Sequence, residues 1–306
     1  MREMQKDGEW LVTRLLESDT HHPLGNLLRE DWKLPRKQVH LLFQHKDILV
    51  NGLPVAQHAK GEAGQELRLR VCLPEPFGVE PVTEPLDVRY EDDHLLVVNK
   101  SAGVLLHPTE KHHRHTLDHL VAGHFARTGV QSKVRHVHRL DQDTSGVVLY
   151  AKHAWAAALL DELLRERQIR RTYLAFVQGS MKTARGTINE PIGRDRNHPT
   201  RRRVTPSGEA AITHYQVLDR YDGVTLIECS LETGRTHQIR VHLRHIGHPL
   251  LGDALYGGKK MLIARQALHA ARLQFTHPFG GQLVTVDVPL PTDLQALQNK
   301  LEEVPN

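Results

Sequence analysis

The stretch His138-Arg139-Leu140-Asp141-Gln142-Asp143-Thr144-Ser145-Gly146 runs straight into an apolar run, Val147-Val148-Leu149-Tyr150. A valine-rich run entered through Thr-Ser-Gly reads as a buried strand reached by a tight polar turn. Other strands of this kind follow along the chain without a regular strand–helix–strand rhythm. That pattern predicts a mixed, mainly antiparallel α+β fold. The turn carries an acid beside an arginine on a rigid support, where catalytic groups tend to sit. The plain alternative is a surface turn with charged side chains, and the rest of the chain has to separate the two.

Working outward, Leu95-Leu96-Val97-Val98 is a second buried-strand candidate, ending at Asn99-Lys100-Ser101-Ala102-Gly103. Trp155, Ala156, Leu159, Leu160, Leu163 and Leu164 form the apolar stripe of a helix. Tyr173-Leu174-Ala175-Phe176-Val177 reads as a strand ending at Gly179. Ala211, Thr213, Tyr215 and Val217 alternate with Ile212, His214 and Gln216, and later Val284, Val286, Val288 and Leu290 with Thr285, Asp287 and Pro289, a period of two that reads as strands. No repeat of 20–50 residues marks a solenoid.

Pro23 to Val71 reads as a small unit of its own. Val39, Leu42 and Phe43 make Arg36 to Gln44 a short amphipathic helix after Pro35. Ile48-Leu49-Val50 meets Asn51-Gly52, a strong hairpin signal, before Leu53-Pro54-Val55. Arg36, Lys37 and Lys46 give the unit a basic side, which in the plainest reading is only a solvated face. With Ile48 to Gly52 and Gly64-Gln65-Glu66-Leu67, the unit resembles the S4 RNA-binding module. Four prolines between Leu73 and Pro85 then suggest a linker. The expected organisation is residues 1–72 as a small α+β S4-like module, 73–85 as linker and 86–306 as the main domain.

The 306 residues are 39% apolar and 25% charged, with net charge +4 and 23 histidines. This describes a globular chain with ample core and a modest basic excess, which suits a polyanion such as RNA. The histidines could add charge where an anion raises their pKa. Met1 to Asp7 is too polar for a signal peptide, and no run is long enough to span a membrane. Two distant cysteines, Cys72 and Cys229, fit a reducing compartment, so a cytoplasmic location is expected.

Thr233 to Pro249 holds a further candidate helix, capped by Thr236 and stopped by Gly247 and Pro249. Ile239, Leu243 and Ile246 would be buried. His237, Arg240 and Arg244 would share a face and repel unless anions meet them. An arginine of this row facing Asp141 would orient that carboxylate and favour its ionised form. The run Arg201-Arg202-Arg203 is best explained by phosphate contact. His112, His113, His115 and His119, with the last two at helical spacing, form a weak metal pattern lacking cysteine ligands, and a polar face near RNA is the expected reading. Three readings of Asp141 compete. A DxD phosphatase site fits poorly, because His138-Arg139 stand where an apolar strand belongs. An aspartic-protease loop fits worse, because the turn has one residue too many and no second copy. A single nucleophilic or acid–base aspartate in a basic cleft fits all of these observations.

The loop His138 to Gly146 resembles the HRLDxxTSG signature of RluA-type pseudouridine synthases. Tyr90 to Lys100 with Ala102-Gly103, Arg171-Thr172-Tyr173-Leu174-Ala175, Gly234 to His242, Gly252-Asp253 with Tyr256-Gly257, and Leu268 to Pro278 resemble that family's other motifs in the expected order. Ser101 stands where the family usually has proline, and Arg171 where it usually has lysine. The resemblance implies an enzyme that isomerises uridine to pseudouridine in ribosomal or transfer RNA, without cofactor or metal. It implies Asp141 as the catalytic aspartate, Tyr173 as the platform for the uracil and Arg240 as the partner of Asp141. Arg139 would insert toward the RNA, with Ile239 beside the base. His138, Thr144, Arg235 and His237 would line the substrate side, and Arg201, Arg202, Arg203, Arg36 and Lys37 would meet RNA. No obligate protein partner is implied, and a monomer is expected. The sequence does not choose whether Asp141 attacks the sugar, attacks the ring or removes a proton.

Overall fold

The computed structural model describes residues 3–110, 112–260 and 262–303, which leaves Met1 and Arg2 of the signal-peptide reading outside the described residues. Two main sheets organise the chain. The small one orders its strands Gln5–Asp7, Trp10–Arg14, Glu66–Leu69, Ile48–Val50 and Leu53–Pro54, all antiparallel. Asn51 and Gly52 turn the expected hairpin with φ of 48° and 81°, the left-handed pair that a two-residue hairpin loop requires. The helix Arg36–Gln44 covers the sheet, with Val39 and Leu42 buried and Arg36 and Lys37 exposed.

The large sheet has ten strands. Its path runs Arg185–Asn189, Ile212–Tyr221, Val224–Leu231, Arg170–Gln178, Leu268–Thr276, Ser145–Ala151, Leu95–Lys100 and Val88–Glu91. Leu283–Asp287 pairs with Leu268–Thr276, and Arg135–His136 with Ser145–Ala151. Every pairing in the sheet is antiparallel except one, where His269 and Ala270 run parallel to Ser145 and Gly146. The fold is therefore mixed and mainly antiparallel, and its single parallel junction lies at the turn quoted above. Ser145–Ala151 and Leu95 to Val98 are fully buried, which explains why both read as unbroken apolar runs. The helix Ala154–Arg165 follows directly, its N-terminus capped by His153, whose Nδ1 accepts the Ala156 N–H at 3.2 Å.

The small sheet is not tethered loosely. Trp32 and Trp155 stack with ring centroids 6.1 Å apart, and Trp155 Nε1 donates to the Trp32 carbonyl. His94 Nε2 lies 3.1 Å from the Met4 carbonyl. One apolar core runs through both sheets. The proline-rich segment is likewise pinned: Glu75 and Val82 donate backbone N–H groups to Gln131 and His119, and Glu75 grips Arg135 with both carboxylate oxygens. A side chain on Gly123 would collide with the Val82 carbonyl at 1.9 Å, so the helix Leu117–Thr128 needs glycine where the segment crosses it. Among the described residues no helix is long and apolar enough to cross a membrane.

Candidate active site

The turn before Ser145–Ala151 is fixed from several directions. The Thr144 N–H closes it on the Asp141 carbonyl at 3.1 Å. Ser145 Oγ meets His269 Nδ1 at 2.9 Å. Gly146 has φ of 120°, and a Cβ there would sit 2.2 Å from the Ala270 carbonyl oxygen, so only glycine permits the parallel junction. Two cations hold the peptide carbonyls of the turn. Lys100, 1% exposed, donates from Nζ to Gln142 O, Val104 O and Ser101 O at 2.7, 2.7 and 2.9 Å. Burial brings its ammonium down to about 7, against the opposing pull of Asp143 and Asp141. Arg265 donates to the Asp143 carbonyl while gripping Asp293 at the start of the last helix. Asp143 contributes its backbone carbonyl to the hold on the turn.

Asp141 is thereby presented to Arg240, whose Nη1 donates to Asp141 Oδ2 at 2.9 Å. Arg240 is itself clamped by Asp253 through two parallel bonds of 2.7 and 2.8 Å. A bidentate guanidinium–carboxylate pair fixes orientation as well as charge. Burial opposes the charge on Arg240, yet Asp253 and Asp141 together push its pKa above the ordinary value. The Tyr256 ring lies under the guanidinium, 5.0 Å from centroid to Cζ. Its hydroxyl accepts the Arg202 N–H at 2.9 Å and is 2.8 Å from His237 Nδ1. Donation by that hydroxyl leaves the His237 proton on Nε2, 3.9 Å from Asp141 Oδ2.

The helix carrying these groups is Gln238–His245, and it starts later than expected. Thr236 is not its cap. His237 occupies that position with φ of 60°, and Gln238 does the bracing. Its Oε1 accepts from the Arg235 N–H and the Thr233 hydroxyl, and its Nε2 donates to Ile212 O. Ile239 and Leu243 are buried as expected, while Ile246, just past the last helical residue, is only half-buried against the core, and Gly247 follows at φ of 86°. Of the three like charges on the other face, Arg240 meets two carboxylates, His237 meets Tyr256 Oη, and Arg244 donates to the Tyr256 carbonyl. Asp253 and Tyr256 are the residues that resolve the repulsion, and they were quoted in the sequence as motif positions without a role.

These groups open onto a cleft of about 590 Å³ lined by Asp141, Tyr173, Ile239, Arg240, Arg139 and Leu268, among others. Its size falls within the usual range of small-ligand sites. Tyr173 is 4% exposed, and burial raises its phenol pKa, so the hydroxyl stays protonated at neutral pH. His138 lines the cleft from behind the loop. Its Nε2 accepts the Leu149 N–H at 3.2 Å, and burial, with Arg171 and His136 nearby, lowers its pKa to about 3. Thr144, 2% exposed, also lies behind the surface.

Arg139, Arg165, Arg167, Arg171 and Arg235 give the cleft a positive rim and wall. Arg235 and Arg167 are partnered by Glu209 and Glu232. Arg201, Arg202 and Arg203 do not form one patch: Arg201 pairs with Asp195 at 2.7 Å, Arg203 is exposed, and Arg202 lines a separate hollow beside Arg235 and Arg194. Arg36 and Lys37 lie on the small sheet's helix, outside the cleft lining. The four histidines do not gather either. His115 precedes the helix instead of sharing it with His119 and pairs with Glu84, while His119 folds back on Thr116. Among the described residues one exposed group, Glu110, His112 and His113, has ligand atoms close enough for an ion.

The model of the RNA pseudouridylate synthase family matches residues 94–245, and that of the RluD ribosomal pseudouridine synthase N-terminal domain matches residues 15–67. The uncharacterized RNA pseudouridine synthase YhcT of Bacillus subtilis is 43% identical over 295 residues, covering 96% of this chain and 93% of that protein. The ribosomal large subunit pseudouridine synthase D of Nitrosomonas europaea is 42% identical over 231 residues, covering 72% of this chain and 67% of that protein. Among solved structures, human RNA pseudouridylate synthase domain containing 1 aligns with a TM-score of 0.57 and 29% identity, covering 74% of this chain and 99% of that one.

Proposed function

Because the chain belongs to the RNA pseudouridylate synthase family, we propose that it isomerises specific uridines of large-subunit ribosomal RNA, using Asp141 on a nucleotide turned out of its stack. The observation that carries this reading is the Asp141–Arg240–Asp253 chain of charge. It leaves Asp141 Oδ1 without a hydrogen-bond partner among the described residues, in a cleft large enough for one nucleotide. The names of several relatives favour ribosomal over transfer RNA.

The reaction breaks the bond between N1 and C1′, turns the uracil, joins C5 to C1′ and transfers the C5 hydrogen to solvent and a proton to N1. Product and substrate are isomers, so no electrons enter or leave. C1′ and C5 are inaccessible in a stacked helix, and extrusion costs a few kcal/mol. Stacking on Tyr173 would return about 1–3 kcal/mol, while Arg139, exposed at the cleft mouth and unpartnered among the described residues, would fill the vacated space. Asp141 supplies the carboxylate that acts on the sugar or the ring, and Arg240 offsets its charge as it changes through the reaction.

The test is tritium release from 5-labelled uridine in unmodified ribosomal and transfer RNA. The wild-type protein is expected to release tritium from ribosomal RNA, and Asp141→Asn to slow release by at least roughly 10³-fold. Release from transfer RNA alone would move the substrate. RNA binding without release from either would leave a binding protein instead of an enzyme.

A further inference from the structure

Arg171 is 7% exposed and lines the cleft, and its side chain makes no hydrogen bond or ion pair among the described residues. Its Nε is shut off from solvent with no hydrogen-bond partner among the described residues. Taking a guanidinium largely out of water without a counter-charge is unfavourable, and among the described residues no carboxylate pairs with it. The acids of the cleft are already committed: Glu232 is held by Arg167 and His214, and Asp141 by Arg240. His138, which also lines the cleft, is buried and can carry only positive charge, so it is no counter-ion for the guanidinium.

The position is built. Arg171 and Tyr173 lie two apart on the strand Arg170–Gln178 and are buried on one face, so the guanidinium stands beside the tyrosine that would carry the base. Gly234 covers it from the opposite loop, and a Cβ there would lie 3.1 Å from Arg171 Nη1. The planar fork suits a phosphate, which accepts two parallel N–H bonds.

We propose that Arg171 is the seat of one RNA phosphate, a phosphodiester next to the extruded uridine, whose binding completes the partnerless guanidinium. This rests on the reading of the cleft as the RNA isomerisation site. Held there, the backbone fixes the sugar while the base lies against Tyr173. Arg171 is in this sense a substrate-binding residue that also places C1′ opposite Asp141.

Binding of an unmodified large-subunit ribosomal RNA transcript, measured against KCl concentration, tests the proposal, with tritium release from the same transcript followed in parallel. Loss of one phosphate contact flattens the slope of log Kd against log salt by about 0.7–0.9. Arg171→Gln is expected to show that change and bind roughly 10- to 100-fold more weakly, while Arg171→Lys keeps the slope. Arg89→Gln, which removes a charge outside the cleft where Arg89 pairs with Asp87, is expected to leave the slope unchanged. An unchanged slope in Arg171→Gln, or an equal change in Arg89→Gln, overturns the proposal. A flattened slope in Arg171→Gln beside a wild-type protein that releases no tritium leaves the phosphate seat standing and sinks the isomerase reading instead. Should Arg171→Gln fail to fold, the Nε–H resonance of Arg171 in the wild-type protein, assigned by its loss in Arg171→Lys, decides. It is expected to shift on titration with inorganic phosphate, and no shift overturns the proposal.

Discussion

At the scale of the residue, the site depends on which carboxylate each guanidinium nitrogen faces. Asp253 is 2% exposed and gives both its oxygens to Arg240. Asp253→Asn removes half of the counter-charge from a buried arginine, which costs about 3 kcal/mol where such pairs are broken. Urea unfolding is expected to show that loss. Single-turnover tritium release is expected to fall with KM little changed, because Asp141 loses its orientation and not its cleft. Tyr173 separates two roles by its variants: Tyr173→Phe keeps the ring and so the KM for RNA, while Tyr173→Ala loses about 1–3 kcal/mol of stacking. Equal KM values for the two would remove the platform role. Helical spacing, which crowds three cationic side chains on one face, made it legible that an arginine of that row would face the acid in the turn, while Arg240 in particular was named by the resemblance to RluA-type synthases. Asp253 was not legible in this way. It lies beyond a helix stop, and nothing in a sequence tells how many of an arginine's five donors one acid has left free. Arg171 was equally hidden, since a cation before a strand tyrosine reads as an exposed charge until burial is known.

At the scale of the element, the strands that cross the core announced themselves as apolar runs, because burial on both faces leaves no room for alternation. Gln5–Asp7 was silent for the opposite reason: it is short, polar and half-exposed at a sheet edge, held by pairing with Trp10–Arg14. The cap of Gln238–His245 was misplaced because Thr236 has the right chemistry, while the backbone turns at His237 in the left-handed region and Gln238 satisfies the loop from inside the helix. The tightest constraint belongs to the parallel junction. Gly146→Ala would drive a methyl into the Ala270 carbonyl at 2.2 Å and strain a φ of 120°. Overpacking and left-handed strain each cost about 1–3 kcal/mol. The variant is expected to lose several degrees of Tm and to shift the Ser145–His269 contact, whereas Gly64→Ala, with the same sign of φ but open space around it, should lose less. A Gly146→Ala protein as stable as wild type would mean the junction is not as rigid as its packing implies.

At the scale of the whole molecule, a set of buried histidines braces the core. His94, His138, His153, His242 and His269 are all buried, and burial lowers each pKa. They act as neutral straps: His153 caps a helix, His138 holds a strand amide, and His94 joins the two sheets through Met4. The consequence for pH has a definite sign. In the unfolded chain these rings take up protons near pH 6.5, whereas in the folded protein they resist to lower pH, to about 3 for His138. Between those values the unfolded state binds more protons, so stability falls as pH falls, by about 1.4 kcal/mol per pH unit for each such ring. Several rings together are expected to make Tm nearly flat above pH 7 and steeply lower from pH 6.5 downward, a descent that begins above the range in which carboxylates titrate. His153→Asn keeps an acceptor for the Ala156 amide while removing one titrating ring, so it should make that descent shallower. A Tm that holds level from pH 7 to 5 would mean the rings already carry protons in the fold, a state that the 3.0 Å bond between His153 Nε2 and His94 Nδ1 allows for at most one of that pair.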